Sequence, residues 1–203
     1  MRYLLSLFLK FIGFFLNEKV SFLFKRIHVF IFSQIISVRF NKTGSVLSIS
    51  PPLVMYGGKY ISIGENFTCR ERLRIEAIDS YLNNKYTPFI KIGDNVSFNN
   101  DCHLAAIKGI TIGDNVVLAS RIFISDHFHG DSSSEVLKIS VANRDLYSKG
   151  EIYIGNNVWI GEGVVILPGV TIGDNCVIGA NSVVNKSFEK NCIIGGVPAR
   201  LLK

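Results

Sequence analysis

From Ile154 onward an aliphatic residue returns at every sixth position: Ile154, Ile160, Ile166, Ile172, Ile178 and Val184. Four residues after each of the first five stands a small or aliphatic partner: Val158, Val164, Val170, Cys176 and Ser182. Glycine usually follows the first residue of the pair, as at Gly155, Gly161, Gly173 and Gly179. The same rule runs from Ile92 through Phe98 to Leu104, with partners Val96 and Cys102. It resumes at Ile112, Leu118 and Ile124, with partners Val116 and Ile122. A weaker start appears at Ile63, Cys69 and Ile75, with Phe67 and Leu73. A period of six matches neither the 3.6 of a helix nor the plain alternation of a strand. It predicts a chain that makes a short flat strand, turns and repeats, so that three units close one triangular coil. The aliphatic residue and its partner point inward. The corners fall at "IGDNV" (twice), "IGNNV" and "IGDNC", because Gly, Asn and Asp tolerate left-handed backbone angles. The expected fold is an all-β solenoid, a parallel β-helix whose stacked coils bury one continuous stripe.

Breaks in the phase are as informative as the phase. Two extra residues lie between Leu104 and Ile112, around "AAIKG". Between Ile124 and Ile154 the chain makes a long excursion, loop 125–153, too polar at "HGDSSSEV" for a core. Long loops on rigid scaffolds usually carry function. Two of the four histidines, His127 and His129, stand at the mouth of this loop in "RIFISDHFHG". Counting from inward Ile124, His127 faces out of the coil. Asp126 adjoins it, but neighbours in a strand point oppositely. Asp126 is therefore not expected to orient the imidazole; a backbone carbonyl or a loop acid such as Glu135 is. His103, one residue after inward Cys102, reads as a surface histidine on a flat face.

The first forty residues differ from the rest, which sets an amino-terminal segment 1–40 before a β-helix domain 41–203. The segment is apolar and aromatic, with Arg2, Lys10, Lys19, Lys25, Arg26 and Arg39 against one acid, Glu18. Its first apolar run, Tyr3 to Leu16, is interrupted by Lys10 and is shorter than the ~20 residues of a spanning helix. No small-residue cleavage site follows cleanly, so a secretory signal is not expected. The composition suits helices lying in a membrane interface, or apolar surface packed on a neighbouring subunit. The expectation taken forward is a cytoplasmic protein held peripherally on the inner face of the cell membrane, without crossing it.

Composition narrows the partners. A formal charge of +6 invites an anionic one, but there are no dense Lys/Arg runs with interleaved aromatics, so nucleic acid is not expected. The four cysteines, Cys69, Cys102, Cys176 and Cys192, form no CxxC pair and read as small reduced hydrophobes. No GxSxG elbow, Walker loop, GxGxxG fingerprint or HExxH is present.

From about residue 60 to 203 the sequence resembles the left-handed β-helix hexapeptide-repeat acyltransferases. The segment "SKGEIYIGNNVWIGEGVVILPGVTIGDNCVIGANSVVNKSFEKNCIIGGVPARLLK" is similar to the galactoside and maltose O-acetyltransferase branch. "SDHFHG" and "YSKG" look more like enzymes that O-acetylate bacterial surface polysaccharides. The resemblance implies a left-handed helix with an extruded active-site loop, acetyl-CoA as co-substrate and no metal. It also implies direct attack of an acceptor hydroxyl on the thioester. It places His127 on the family's general base, a role that suits imidazole, whose reference pKa is ~6.5. It matches Asn99, with Asp101 as an alternative, to a residue near the acetyl group and acceptor. Outward Trp159 matches a residue bordering the site. His129 reads in two ways from its place in the loop, as a contact to the acceptor or as a solvated or loop-packing residue. Gly161, Glu162 and Ala180 match positions lining the pantetheine, although Glu162 departs from the small residue of galactoside acetyltransferase. Lys186 and Arg200 match basic residues near the coenzyme A phosphates.

The resemblance also implies a homotrimer with each site between two subunits, since a single prism offers only flat outer faces. The acceptor is then a sugar or glycan. An amino-sugar N-acetyltransferase is the alternative within the family, and a non-catalytic β-helix scaffold is the alternative outside it. A γ-class carbonic anhydrase on the same coil needs three converging imidazoles, and His103 differs from His127 and His129 in coil phase.

Overall fold

Every residue that the period of six sends inward is buried, from Ile63, Phe67 and Cys69 at one end to Ile178, Ser182 and Val184 at the other. The computed structural model describes residues 1–15, 18–131 and 133–203. Leu16 and Asn17 in the amino-terminal segment, and Ser132 in the polar loop, lie outside the described residues. Three parallel sheets form the walls of the coil. The first contains Leu47–Ile49, Phe67–Cys69, Ser97–Phe98, Val117–Leu118, Trp159–Ile160, Val177–Ile178 and Ile193–Gly195. The second contains Leu53–Tyr56, Leu73–Ala77, His103–Ala106, Phe123–Ser125, Val165–Ile166 and Val183–Val184. The third runs from Ile61–Ile63 through Phe89–Ile92, Gly109–Ile112 and Ile152–Ile154 to Thr171–Ile172. Residues one coil apart pair in register, so an outward side chain sits directly over its counterpart in the next coil.

The corners show why the "IGDN" units recur. Asn66, Asn95, Asn115, Asn157, Asn175 and Asn191 all adopt left-handed backbone angles, φ between 54° and 62°. Their amides form a ladder: Asn157 donates to Asn175 at 2.9 Å and Asn175 to Asn191 at 3.0 Å. One residue earlier, Asp114 accepts from the Asp94 amide at 2.8 Å, and Asp174 from that of Asn156 at 2.6 Å. The preceding glycines are compulsory for a different reason. A Cβ on Gly155 would strike the backbone of Gly173 and Asp174 in the next coil.

Coil lengths locate the insertions. Asn157 meets Asn175 after 18 residues, the undisturbed repeat. The two extra residues at "AAIKG" lengthen one coil to 20. A hairpin of Ser80–Tyr81 and Asn84–Lys85 lengthens another to 29, and the polar loop extends a third to 42. The loop and the hairpin meet: Asn84 donates to Asp145 at 2.6 Å.

The amino-terminal segment forms two helices, α1 (Arg2–Phe15) and α2 (Glu18–Ser37). The end of α2 and the turn after it close the open first coil, where Ile36 and Phe40 are buried and Phe32 packs against the core. Buried Ser33 accepts a hydrogen bond from the Ile49 backbone N–H at 2.8 Å and donates to the Val29 carbonyl at 2.7 Å. Lys25 bonds Glu71 at 2.6 Å. The segment thus packs on its own chain's first coil, a role that neither sequence reading contained. At the other end Arg200–Leu201 turns back antiparallel on Ile194 and Gly195.

Candidate active site

The outward face of the second sheet gathers the chemistry. Arg74, His103 and Phe123 are register neighbours on three successive coils, and Glu76, Ala105 and Ser125 form the next row. Each stands one residue from a buried aliphatic residue, Ile75, Leu104 or Ile124, so all six project to the same side. Past Ser125 the strand ends and the polar loop departs.

At that point the expectation for Asp126 fails. Its carboxylate is fully buried and accepts backbone hydrogen bonds from Ile107 (2.9 Å), Lys108 (2.8 Å) and Gly109 (2.8 Å). It also takes the Nδ1 hydrogen bond of His127 at 3.0 Å. The alternation argument does not apply, because Phe123–Ser125 ends before Asp126 and the chain bends there. Glu135 does not orient the ring; it is exposed and paired with Lys138 at 2.9 Å. A carboxylate that already accepts three backbone N–H bonds offers Nδ1 an acceptor, which favours the tautomer with its proton on Nδ1 and leaves Nε2 facing away from the pair. Ser125 adds a second restraint, its hydroxyl donating to the His127 carbonyl at 3.0 Å. The ring of His127 is only 10% exposed.

His127 lines a cleft of about 330 Å³ together with Arg74, Glu76, Tyr81, His103, Phe123 and His129. Arg74 forks onto Glu76 at 2.7 and 3.1 Å, and His103 Nε2 donates to the same carboxylate at 3.1 Å. His103 meets the Phe123 ring edge-on at 5.1 Å, and His129 meets Tyr81 at 5.4 Å. His103 is therefore part of the cleft rather than a bare surface histidine. Arg74, Glu76 and Phe123 were legible from the phase, since each flanks an inward residue. Tyr81 was not, because its hairpin is off the repeat.

Burial holds the pKa of His103 below the usual histidine value, and the nearby Arg74 and His127 act in the same direction against Glu76. The neutral ring is the form that the fold accommodates. The unfolded chain takes up this proton near pH ~6.5 and the folded chain only lower, so this group's stability contribution falls as pH drops through that window. His103→Gln should flatten the loss of stability between about pH 7 and pH 5, read as urea midpoints at each pH. An unchanged slope would remove His103 as its source.

The other residues singled out in the sequence stand elsewhere on the protomer. Trp159 lies on the first sheet, 55% exposed. Asn99, which donates to the Leu118 carbonyl at 3.2 Å, and Asp101, forked by Arg72 at 2.5 and 2.8 Å, lie at the corner between first and second sheets. Glu162 stacks on that corner, paired with Arg121 at 2.7 Å, and Asn181, beside Ala180, donates its backbone N–H to the Glu162 carbonyl at 2.7 Å. At Gly161 a Cβ would approach the Ala180 backbone nitrogen to 2.7 Å, so the two coils pack backbone to backbone there. Lys186 and Arg200 follow near the carboxyl end, and neither forms an ion pair among the described residues. None of these eight lines the His127 cleft. A larger cavity, about 710 Å³, lies between α2 and the first sheet, apart from His127. Three of the four thiols, Cys69, Cys102 and Cys176, are buried, and burial pushes Cys102 up to about 12. Among the described residues no group of three His, Cys, Asp or Glu side chains could hold a metal ion.

Comparison with known proteins decides the lineage. Residues 151–186 match the bacterial transferase hexapeptide (six repeats), and residues 89–125 match the hexapeptide repeat of succinyl-transferase. The protein described as a lipopolysaccharide biosynthesis O-acetyl transferase, WbbJ of Escherichia coli (strain K12), is 39% identical over 146 residues. That match spans 70% of this chain and 71% of the relative. The chain belongs to the hexapeptide-repeat acyltransferases. Its fold is accordingly the family's left-handed parallel β-helix. A galactoside acetyltransferase solved with coenzyme A is 33% identical, with a TM-score of 0.55, covering 84% of this acyltransferase and 68% of that chain. The N-acyltransferase AntD of Bacillus cereus superposes with a TM-score of 0.68 at 23% identity, covering 84% of this acyltransferase and 87% of that chain, and shares the fold.

Proposed function

We propose that the protein transfers an acetyl group from acetyl-CoA to a sugar hydroxyl of a bacterial surface polysaccharide or its precursor, with His127 as general base. The observation that carries this reading is the buried Asp126–His127 pair at the edge of a cleft in an acyltransferase fold. Nδ1 is held by a fixed carboxylate, which leaves Nε2 to take the acceptor's proton. As the proton leaves, the acceptor oxygen bonds to the acetyl carbonyl carbon. The carbon–sulfur bond breaks, and coenzyme A departs as a thiolate that is then protonated. A weakly nucleophilic hydroxyl requires such a base. The O-acetyl transferase WbbJ and the coenzyme A complex of galactoside acetyltransferase support the donor and the acceptor class.

Phe123, Tyr81 and His103 supply flat surfaces for a sugar ring. Arg74 and Glu76 offset each other's charge, which favours a neutral hydroxyl-rich acceptor. The corner carrying Gly161, Glu162 and Ala180, with Arg200 close above it on the last turn, would take a pantetheine, and Lys186, one corner further along the coil, stands on the side where its phosphates would lie. In one protomer that corner and His127 occupy different parts of the coil surface. Their separation supports a homotrimer in which one subunit's corner, with Asn99, Asp101 and Trp159, meets the next subunit's His127 cleft. Light scattering should then give three times the chain mass, and a fully active dilute monomer would refute the shared site.

The test of function is thiol release from acetyl-CoA against neutral sugars, amino sugars and lipid-linked glycans. Release with hydroxyl acceptors is expected. Release with amines alone would reassign the protein to N-acetylation, and none at all would point to a scaffold.

A further inference from the structure

Helices α1 and α2 carry an apolar surface that the β-helix leaves uncovered. On α2, Ser33 and Ile36 are buried against the first coil. On the opposite side Leu23, Ile27, Ile31 and Ile35 follow at intervals of four, flanked by Phe24, and all five are exposed, Ile35 to 66%. Residues four apart share a helix face, so this is one continuous stripe rather than scattered side chains. On α1 the same spacing aligns Arg2, Ser6 and Lys10, while Leu4, Leu5, Phe8 and Ile12 are exposed around the rest of the helix. The segment carries six bases and one acid of its own, Glu18, and of the six only Lys25 is paired with an acid of the coil, Glu71, among the described residues.

We infer that this surface docks the protein on an anionic lipid bilayer, with α1 and the outer stripe of α2 in the headgroup–acyl boundary. A basic, apolar helix lying in that plane gains from burial of its apolar side and from attraction to acidic headgroups together. Spanning is a different matter. The 20 residues of α2 are long and apolar enough to cross, by length and composition alone. Its inner side, however, is fixed to the coil through Ser33 and Ile49, and through Lys25 and Glu71. Crossing would pull Ile36 out of the core and carry charged residues into hydrocarbon. A second copy of the chain is the rival occupant. It would set one basic segment against another, whereas acidic lipid complements both. The inference does not rest on the acetyl-transfer reading.

The full-length protein should sediment with vesicles of phosphatidylcholine and phosphatidylglycerol at low salt. Binding should weaken at least ~tenfold on vesicles of phosphatidylcholine alone or in high salt. A triple variant, Leu23→Glu with Ile27→Glu and Ile31→Glu, changes exposed positions only. It should keep the wild-type circular dichroism and molecular mass while losing the vesicles. Arg2→Glu with Lys10→Glu provides an independent second variant, with the same loss expected. The proposal is overturned if the wild type ignores anionic vesicles at low salt, if both variants bind as the wild type does, or if binding is indifferent to lipid charge. A triple variant of altered mass, with a wild type that ignores vesicles, would assign the stripe to a second copy. Removing both helices is not a substitute test, because Ile36 on α2 helps to close the core.

Discussion

His127→Ala should lower kcat for acetyl transfer by ~10²- to 10⁴-fold, the range usual for loss of a general base. The KM for acetyl-CoA should stay within about twofold, because the residues matched to the donor stand on another part of the coil. Melting should change little: the Asp126 carboxylate keeps its three backbone donors without the imidazole. Single-turnover kinetics separate the outcomes. Wild-type chemistry in the variant would remove His127 from the mechanism, and an equal loss on His129→Ala alone would move the base two residues along.

Asp126 should show a larger effect on the fold. Asp126→Ala strands the amides of Ile107, Lys108 and Gly109, and a buried donor without an acceptor costs about 1–3 kcal/mol. At about 2–4 °C per kcal/mol for a domain of this size, the melting temperature should fall by roughly 10 °C or more. Asp126→Asn separates structure from chemistry. If the amide NH₂ donates to Nδ1, the imidazole proton moves to Nε2 and the base is lost. The asparagine variant should therefore approach His127→Ala in kcat while melting above the alanine variant. Wild-type kcat in Asp126→Asn would show that the carboxylate holds the loop and does nothing for the ring.

Asp126 also shows where sequence reading stopped. The repeat was legible because a coil has one inside: each residue from Ile63 to Val184 that the phase sent inward is buried. The two breaks were legible as breaks. That they are one device was not, since it depends on a carboxylate reaching from the second break to amides freed by the first. A period argument also assumes that a strand continues. It therefore failed at Asp126, one residue past a strand end, whereas Arg74 and Phe123, within strands, keep the phase. The hairpin that supplies Tyr81 has no period at all. Glu135 looked suitable only because it is an acid in the right loop, and its side chain points to Lys138. His103 read as a surface residue because no count along one chain reveals that Glu76 and Phe123 stack on it from neighbouring coils.

The seal on the first coil has a consequence for how the protein avoids growing. A parallel solenoid ends in open backbone, and an open strand edge is a template for another strand. Here the edge N–H of Ile49 is taken by a serine hydroxyl, and the far edge is turned back on itself at Arg200–Leu201. Both ends of the first sheet are thereby blunted as templates for the next molecule. Prised away from its first coil, α2 would expose a stack of flat, aliphatic rungs with nothing to stop end-to-end polymerisation, so the lid is also the chain's protection against becoming a fibre.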